Sequence, residues 1–203
     1  MRLLISLLFL STTLYPSAAQ SIDSLFAAMP REALPVLDRS ARLDLIDLYN
    51  SGLAARVENV FGGQTEMTSK DSSTVKLRTS DAGQWQMAIV RTQADTLLLT
   101  LHTLRAGGES TNLKVYNVRW QPSEKTVATP PFKEFWCPTV GLDPNLENVY
   151  RTAASQLPVR IEWEASERTL VYSLCCNALP EEQREPIGKC LCPVKQALSL
   201  SKQ

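Results

Sequence analysis

The sequence has few of the residues on which common catalytic and nucleic-acid-binding sites depend. It contains a single histidine, His102, among 203 residues, and its 21 basic side chains are balanced by 21 acidic ones. A serine or cysteine nucleophile needs a base beside it, and no Gly-x-Ser-x-Gly segment is present, so a hydrolase of that kind is not favoured. The balanced charge gives no indication of nucleic acid or of a charged membrane surface as partner.

Glycine is also scarce, with 8 residues, and its two pairs do not form a phosphate-binding loop. Gly62-Gly63 and Gly107-Gly108 match neither the Gly-x4-Gly-Lys nor the Gly-x-Gly-x2-Gly pattern. We interpret both pairs as turns or bulges that need a positive φ. The sequence therefore predicts no catalytic residue and no bound cofactor.

The first 19 residues have the pattern of a signal peptide. Arg2 precedes a short apolar run, Leu3 to Leu10, and small residues at Ser17 and Ala19 predict cleavage after Ala19. The alternative is a membrane anchor, but the run is shorter than the roughly 20 residues that span a bilayer. The first cysteine is Cys137, so no cysteine stands at the cleavage point for lipid attachment. We expect a periplasmic or secreted protein that is not a lipoprotein and has no membrane span once the leader is removed.

Residues 20–121 have the pattern of a helical hairpin packed on an antiparallel β-meander. The chain is organised around residues 40–67, where Ser40 is a candidate N-cap for a helix over 42–50 that Gly52 ends. Its predicted buried stripe is Leu45, Ile46, Leu48 and Tyr49. Alternating strands are predicted at 74–78, 85–89, 96–104 and 112–121, with turns at 80–83, 93–95 and 105–109. Short loops of this kind indicate an antiparallel sheet with one dry face.

A Pro/Ser/Thr-rich crossover at 122–131 leads into a smaller second half at 132–203. Asp143-Pro144 is a typical helix start, and the apolar face of that helix is predicted at Leu146, Val149, Tyr150, Ala153 and Leu157. Residues 159–163 and 170–174 alternate as a β-hairpin. The predicted fold class is therefore α+β, in one compact unit whose second half suggests a pseudo-duplication of the first.

Five cysteines lie in the second half of the chain, at positions 137, 175, 176, 190 and 192. In an exported protein, a disulfide from Cys175 or Cys176 to Cys190 or Cys192 is the expected use. Free buried thiols are one alternative. A metal site formed by Cys175, Cys176, Cys190 and Cys192 is another, although adjacent cysteines are poorly spaced for zinc. The odd count leaves one thiol unpaired, for which Cys137 is the candidate.

Two carboxylate pairs could in principle serve acid–base chemistry or bind calcium. Asp44 and Asp47 are three residues apart on the predicted helix, and Glu162 and Glu164 share one face of a predicted strand. Solvated charge on the outer faces of these elements is the favoured interpretation. Trp85, Trp120, Trp136 and Trp163 could line a sugar site. Trp85, Trp120 and Trp163 fall on alternating apolar faces, which predicts core positions instead.

Three blocks of the sequence resemble a known family. They are Phe26-Ala27-Ala28-Met29-Pro30, Arg42-Leu43-Asp44-Leu45-Ile46-Asp47, and Phe61-Gly62-Gly63 before Glu66-Met67-Thr68. With the leader and the later meander, they are similar to an uncharacterised exported family of Bacteroidales, domain of unknown function 3256. The resemblance implies a periplasmic or extracellular protein and carries no activity or catalytic residue with it.

Together these patterns predict an exported, non-enzymatic binding or interaction protein, whose partner is a protein or small molecule rather than nucleic acid. One alternative is a structural envelope protein that docks through a sheet edge or an apolar patch. Another is a metal- or thiol-dependent protein that uses the cysteine-rich tail.

Overall fold

The structure is a computed structural model that describes residues 20–92, 95–138, 142–198 and 201–202. The predicted leader, residues 1–19, and positions 93–94 of the turn predicted at 93–95 lie outside the described residues.

Two helices begin the described chain and form the predicted hairpin. Helix α1 spans Ile22–Ala27, and its N-cap Ser21 accepts a hydrogen bond from the Ser24 backbone. Helix α2 spans Arg39–Asn50 and is capped by Asp38, not by Ser40, so the helix begins earlier than predicted. Gly52 follows α2 with a φ of 70°, the left-handed conformation expected there. A short 3-10 helix at Arg31–Ala33 joins the two.

Arg42 of α2 is buried in the joint between the two helices, with 3% of its surface exposed. Its guanidinium donates to the backbone carbonyl oxygens of Leu37 at 2.9 Å and of Met29 at 2.6 Å. Burial lowers the pKa of Arg42 below its usual value, while nearby Asp38 raises it. The predicted buried stripe of α2 did not include Arg42, because charged side chains are rarely buried. Of the residues predicted there, Leu45 and Ile46 are buried, and Leu48 and Tyr49 are half-buried.

The next six strands form one antiparallel sheet in which neighbours in sequence are neighbours in space. The strands are β1 Arg56–Glu58, β2 Gln64–Lys70, β3 Thr74–Arg78, β4 Gly83–Arg91, β5 Thr96–Arg105 and β6 Glu109–Asn117. The predicted meander is confirmed. Its first two strands escaped prediction because β2 has a single large apolar residue, Met67, and β1 is only three residues long.

Helices α1 and α2 cover one face of this sheet. Phe26 of α1 packs against Trp85 of β4, with ring centroids 5.9 Å apart, and Leu98 of β5 lies in the same cluster. Trp120, just after β6, closes the layer by donating from its indole nitrogen to the Leu25 carbonyl at 3.0 Å. Trp85 and Trp120 are thus buried in the core, as predicted.

The second half begins with a two-residue strand, β7 Lys125–Thr126, and a 3-10 turn at Phe132–Glu134. Helix α3 spans Pro144–Ala154, and its predicted N-cap Asp143 accepts from the Asn145 and Leu146 backbone. Part of its predicted apolar face is confirmed, since Tyr150, Ala153 and Leu157 pack in a small cluster with Ala154 and Ile187. The prediction was wrong for Leu146 and Val149, which are 41% and 61% exposed.

A second, three-stranded antiparallel sheet follows, in the order β10-β9-β8. Strands β8 Val159–Glu164 and β9 Thr169–Leu174 form the predicted hairpin. Helix α4, Glu181–Gly188, then leads to β10 Val194–Ala197, a strand that the sequence did not reveal. The last strand, β11 Ser201–Lys202, pairs with β7.

The small sheet packs on the face of the large sheet that the helices leave free. Ala88 of β4 and Leu99 of β5, both fully buried, meet Trp163 and Tyr172 of the small sheet in one apolar cluster. The expectation of a large sheet with one dry face was therefore wrong for β4 and β5, which are buried on both faces. In the described ranges, no helix combines the length and apolarity needed to cross a bilayer.

Replacing Arg42 by alanine should destabilise the fold, because the carbonyl oxygens of Leu37 and Met29 would lose their buried donor. We expect the free energy of unfolding in urea to fall by about 2–4 kcal/mol. Arg39→Ala, at an exposed position on the same helix, is the matched control and should change it by less than about 0.5 kcal/mol. Equal effects of the two substitutions would contradict this role of Arg42.

Candidate functional site

The single histidine does not belong to an assembled catalytic group in the described part of the chain. His102 lies on β5 between Trp85 of β4 and Asn112 of β6, half-buried on the helix-covered side of the sheet. Burial, followed by the positive charge of Lys114, lowers the pKa of His102. Among the described residues, no hydrogen bond joins its ring to a serine, a cysteine or a carboxylate.

The two carboxylate pairs have solvent-exposed or local structural positions. Asp44 and Asp47 are exposed on α2. Glu162 forms an ion pair with Arg160, and Glu164 accepts from the backbone and hydroxyl of Ser166 in the β8–β9 turn. The hydrogen bonds from Ser166 lower the pKa of Glu164. Over the described residues, no group of three or more His, Cys, Asp or Glu side chains is arranged to hold a metal ion.

The disulfide in the structure differs from the one predicted, because Cys137 is bonded to Cys192. A short antiparallel contact aligns the two cysteines: the Cys137 amide donates to the Cys190 carbonyl at 2.8 Å, and the Cys192 amide donates to the Phe135 carbonyl at 2.9 Å. The two segments that form this contact are far apart in sequence, so the spacing of the cysteines within the tail could not predict the Cys137–Cys192 pair. Cys137 is therefore not the unpaired cysteine.

The other three cysteines, Cys175, Cys176 and Cys190, have free thiols. The Cys175 sulfur accepts from the Glu109 backbone at 3.1 Å, and Cys190 contacts the Pro186 carbonyl. Burial and the neighbouring Cys175 raise the pKa of Cys176, which disfavours the reactive thiolate form. Since Cys192 is held in the disulfide, the four tail cysteines do not form the alternative metal site.

The structure places a cleft of about 600 Å³ at the outer edge of β6. We call it the crossover cleft, because its outer wall is the crossover segment between Pro122 and Thr129. Leu113 and Val115 of β6 line one side, and Ile161 of β8 and Tyr172 of β9 line the floor. The crossover cleft therefore lies where the large sheet, the small sheet and the crossover meet.

The backbone edge of β6 is paired at one end of the crossover cleft and open at the other. The Ser123 amide donates to the Val115 carbonyl at 2.9 Å, and Tyr116 and Pro122 form an antiparallel bridge. Beyond Ser123, no backbone hydrogen bond joins the crossover to β6 in the described residues. In an antiparallel pair, alternate residues direct their backbone groups away from the neighbouring strand, so Thr111 and Leu113 present theirs on the same side as Val115.

Tyr172 brings a polar group into this mostly apolar setting. The side chain is 1% exposed, and its hydroxyl has no hydrogen-bond partner among the protein atoms described. Burial raises the pKa of Tyr172 to about 12, so the hydroxyl is a protonated donor at neutral pH. A buried hydroxyl without a partner costs about 1–3 kcal/mol, and such groups in native structures call for an explanation.

Two other grooves have less to offer a ligand. One of about 510 Å³ has a charged lining in which Glu66 is paired with Arg78, and Arg160 with Glu162. The other, of about 630 Å³, is lined by His102 and by Phe61, which is 77% exposed on a tight turn. Neither combines apolar walls with a buried polar side chain that lacks a partner.

The crossover cleft was not identified from the sequence. Its lining comes from three segments, 111–116, 122–129 and the β8–β9 hairpin, which are separated by up to about sixty residues of chain. Each segment has an ordinary strand or loop pattern by itself. The only local signal was the apolar Val127 within an otherwise polar crossover.

This geometry defines a class of protein: an α+β fold in three layers, with helices, a large antiparallel sheet and a small sheet, and a cleft at the sheet edge. A family model described as "Protein of unknown function (DUF3256)" matches residues 14–197. The chain therefore belongs to that family, as its resemblance predicted.

The same fold occurs in a solved structure described as a domain of an uncharacterized protein from Porphyromonas gingivalis W83. The TM-score is 0.69 at 19% sequence identity, and the similarity covers 88% of this chain and 97% of that one. At this identity the likeness shows a shared fold. No curated protein matches the sequence.

Because the pKa of Tyr172 is raised, the free energy of unfolding should decrease at alkaline pH. The folded protein holds the proton more tightly than the unfolded chain, so the stability from this group is complete below pH 10 and is lost as pH rises towards 12. We expect the wild type to lose about 1.4 kcal/mol more unfolding free energy between pH 8 and pH 11 than Tyr172→Phe. An equal loss in both proteins would contradict the buried position of the hydroxyl.

The disulfide should be a large contributor to stability, because it closes a loop with a sequence separation of 55 residues. By the chain-entropy relation, the double substitution Cys137→Ser and Cys192→Ser should lower the free energy of unfolding by about 4 kcal/mol. Dithiothreitol should destabilise the wild type by a similar amount and leave the double variant unchanged. The same response to reductant in both proteins would contradict the assigned pairing.

Proposed function

We propose that this chain is an exported binding protein that holds its ligand in the crossover cleft. The observation that carries the proposal is the Tyr172 hydroxyl, which is buried at an apolar cleft and has no protein partner among the described residues. Binding sites for small molecules and peptide segments are typically apolar concavities with a few placed polar groups. The crossover cleft has this composition.

The chemistry of the lining indicates the kind of ligand. Leu113, Val115 and Ile161 offer apolar surface, and Tyr172 offers one donor. A ligand that fits is therefore largely apolar and carries a hydrogen-bond acceptor, such as a carbonyl, that can reach the phenol. Because the hydroxyl is buried, a ligand acceptor reaches it only after a small shift of the side chains around it, and the new hydrogen bond would then relieve the cost of the unpartnered hydroxyl.

The same lining supports binding over catalysis. The described residues around the cleft include no histidine, cysteine, aspartate or glutamate. Its ionisable side chains are two tyrosines and two lysines, of which Lys125 is paired with Asp95. Acid–base catalysis near neutral pH most often uses histidine, aspartate or glutamate, and the described lining contains none of these.

Export is supported by the leader pattern and by the disulfide. Residues 1–19 have the charged start, apolar core and small-residue cut of a signal peptide. A disulfide such as Cys137–Cys192 forms and persists in oxidising compartments outside the cytosol. The small-molecule or protein partner is then one that is met in the periplasm or outside the cell.

Export can be tested by the intact mass of the protein in cell fractions. We expect the exported protein to begin at Gln20 and to weigh two hydrogens less before reduction than after it. Cys137→Ser should abolish this two-hydrogen difference. A protein that retains residues 1–19, or that is found only in the cytosol, would overturn the export proposal.

Ligand binding in the crossover cleft can be tested with the fluorescent probe anilinonaphthalene sulfonate, which combines apolar rings with an acceptor group. We expect a single saturable site that Thr129→Trp blocks by filling the cleft and that Tyr172→Phe weakens by about threefold to tenfold, the loss of one hydrogen bond. The matched controls are Ala128→Trp, at the neighbouring exposed residue outside the lining, and Tyr150→Phe on α3. Binding that Thr129→Trp does not reduce would place the site elsewhere and overturn the proposal.

A further inference from the structure

We propose that the ligand of the crossover cleft is an extended peptide segment, which binds by adding an antiparallel strand to the open edge of β6. This inference rests on the proposed function, since it names the ligand class for the same site. It is carried by the backbone geometry of β6 rather than by the apolar lining alone.

The open edge offers a regular set of backbone groups. Thr111, Leu113 and Val115 alternate with residues whose backbone groups hydrogen-bond to β5. Because the Val115 carbonyl faces the crossover, the amides and carbonyls of Thr111 and Leu113 face the same way. Among the described residues, the Val115 carbonyl is the one backbone group of these three that bonds to the crossover, where it accepts from the Ser123 amide. Backbone groups two residues apart in a strand are about 6.8 Å from each other. An added strand presents its own donors and acceptors at the same spacing.

The protein already uses this edge in the proposed way. Gln121 to Ser123 run antiparallel to the end of β6, with the Asn117 amide donating to the Gln121 carbonyl at 3.0 Å. An added peptide would continue this pairing along the part of β6 that the crossover leaves. The crossover also pairs with an extended segment on its own: β7, which lies within it, pairs with β11.

The side chains at this edge set the character of the peptide. Leu113 and Val115 pack towards the small sheet, so every second side chain of an added strand would point the same way, towards Ile161, Val127 and Tyr172. These positions favour apolar residues, with Tyr172 as donor to a backbone carbonyl or a short polar side chain. The side chains between them would face solvent. Peptide recognition by strand addition works in this manner, with affinity from the backbone and specificity from alternate pockets.

The length of the peptide follows from the lining. The crossover cleft follows β6 from Thr111 to Tyr116, and the crossover already pairs with Val115 and Tyr116, so the open part runs from Thr111 to Lys114, about 13 Å of strand. An added segment of about four residues would pair with it. A short segment can add to a strand edge only where its own backbone groups are not already paired, as in a flexible region. The partner is therefore a protein with an exposed extended segment.

A random heptapeptide library displayed on phage provides the probe. It would be selected on the wild-type protein and counter-selected on Thr129→Trp, with Ala128→Trp as the control that should retain binding. We expect sequences that alternate apolar and polar residues. On binding of a selected peptide, the amide of Leu113 should exchange with solvent at least tenfold more slowly, because it becomes hydrogen-bonded.

Backbone methylation of the selected peptide separates strand addition from simple apolar binding. Methylating one amide that faces β6 should weaken binding at least tenfold, the effect of a lost backbone bond and a steric block. Methylating the next amide along, which faces away from β6, is the matched control and should leave the affinity within about twofold.

The outcomes distinguish the two proposals. Equal effects of the two methylations, unchanged exchange at Leu113, or no selected peptide at all would overturn strand addition, while the anilinonaphthalene sulfonate result would still stand for the cleft. Failure of that probe at the cleft would instead remove the proposed function. Concentration-dependent dimerisation that protects the Leu113 amide without any peptide would assign the edge to a second copy of this chain and would also overturn the inference.

Discussion

The burial of the central hairpin, β4 and β5, on both of its faces is the constraint on which the structure depends. Helices α1 and α2 cover Trp85, Met87 and Leu98 on one side, and the small sheet covers Ala88 and Leu99 on the other. A two-layer unit would have left the second apolar face in water. At about 25 cal/mol per Å² of apolar surface, such exposure would cost several kcal/mol, so the second half of the chain is needed to complete the core of the first.

Specific polar contacts then hold the three layers in register. Arg42 joins the two helices through backbone carbonyls, and Trp120 joins the end of the sheet to α1. On the opposite side, the Thr111 hydroxyl accepts from the Ile161 amide at 3.0 Å and fixes β8 over the edge of the large sheet. The crossover cleft is a consequence of this arrangement. The small sheet packs against β4, β5 and β6, and the crossover that connects the two sheets passes the edge of β6 and pairs with only part of it in the described residues.

The family match and the shared fold with the Porphyromonas gingivalis domain agree with this account at the level of architecture. A sequence identity of 19% preserves the layers while most side chains differ, because packing tolerates many combinations of apolar residues. A shared fold does not by itself identify a function, which depends on the side chains of a particular site.

The sequence by itself determined the elements whose signals are local. The cap at Asp143, the alternation in β3 to β6 and in the β8–β9 hairpin, and the order of helices before strands all follow from periods of 2 and 3.6 residues and from the chemistry of helix ends. The meander is equally local, since its turns join consecutive strands. This was enough for the α+β class and for the helical hairpin on an antiparallel sheet.

Only the tertiary structure decided the features that join distant segments. The Cys137–Cys192 bond, the burial of Arg42, the exposure of Val149 on α3 and the position of Tyr172 at the cleft each depend on which faces meet. No local period of apolar residues determines which faces meet, because a side chain on the outer face of one helix or strand is buried when another layer packs against it. The candidate site is therefore a property of the assembled layers, formed where the crossover passes between them.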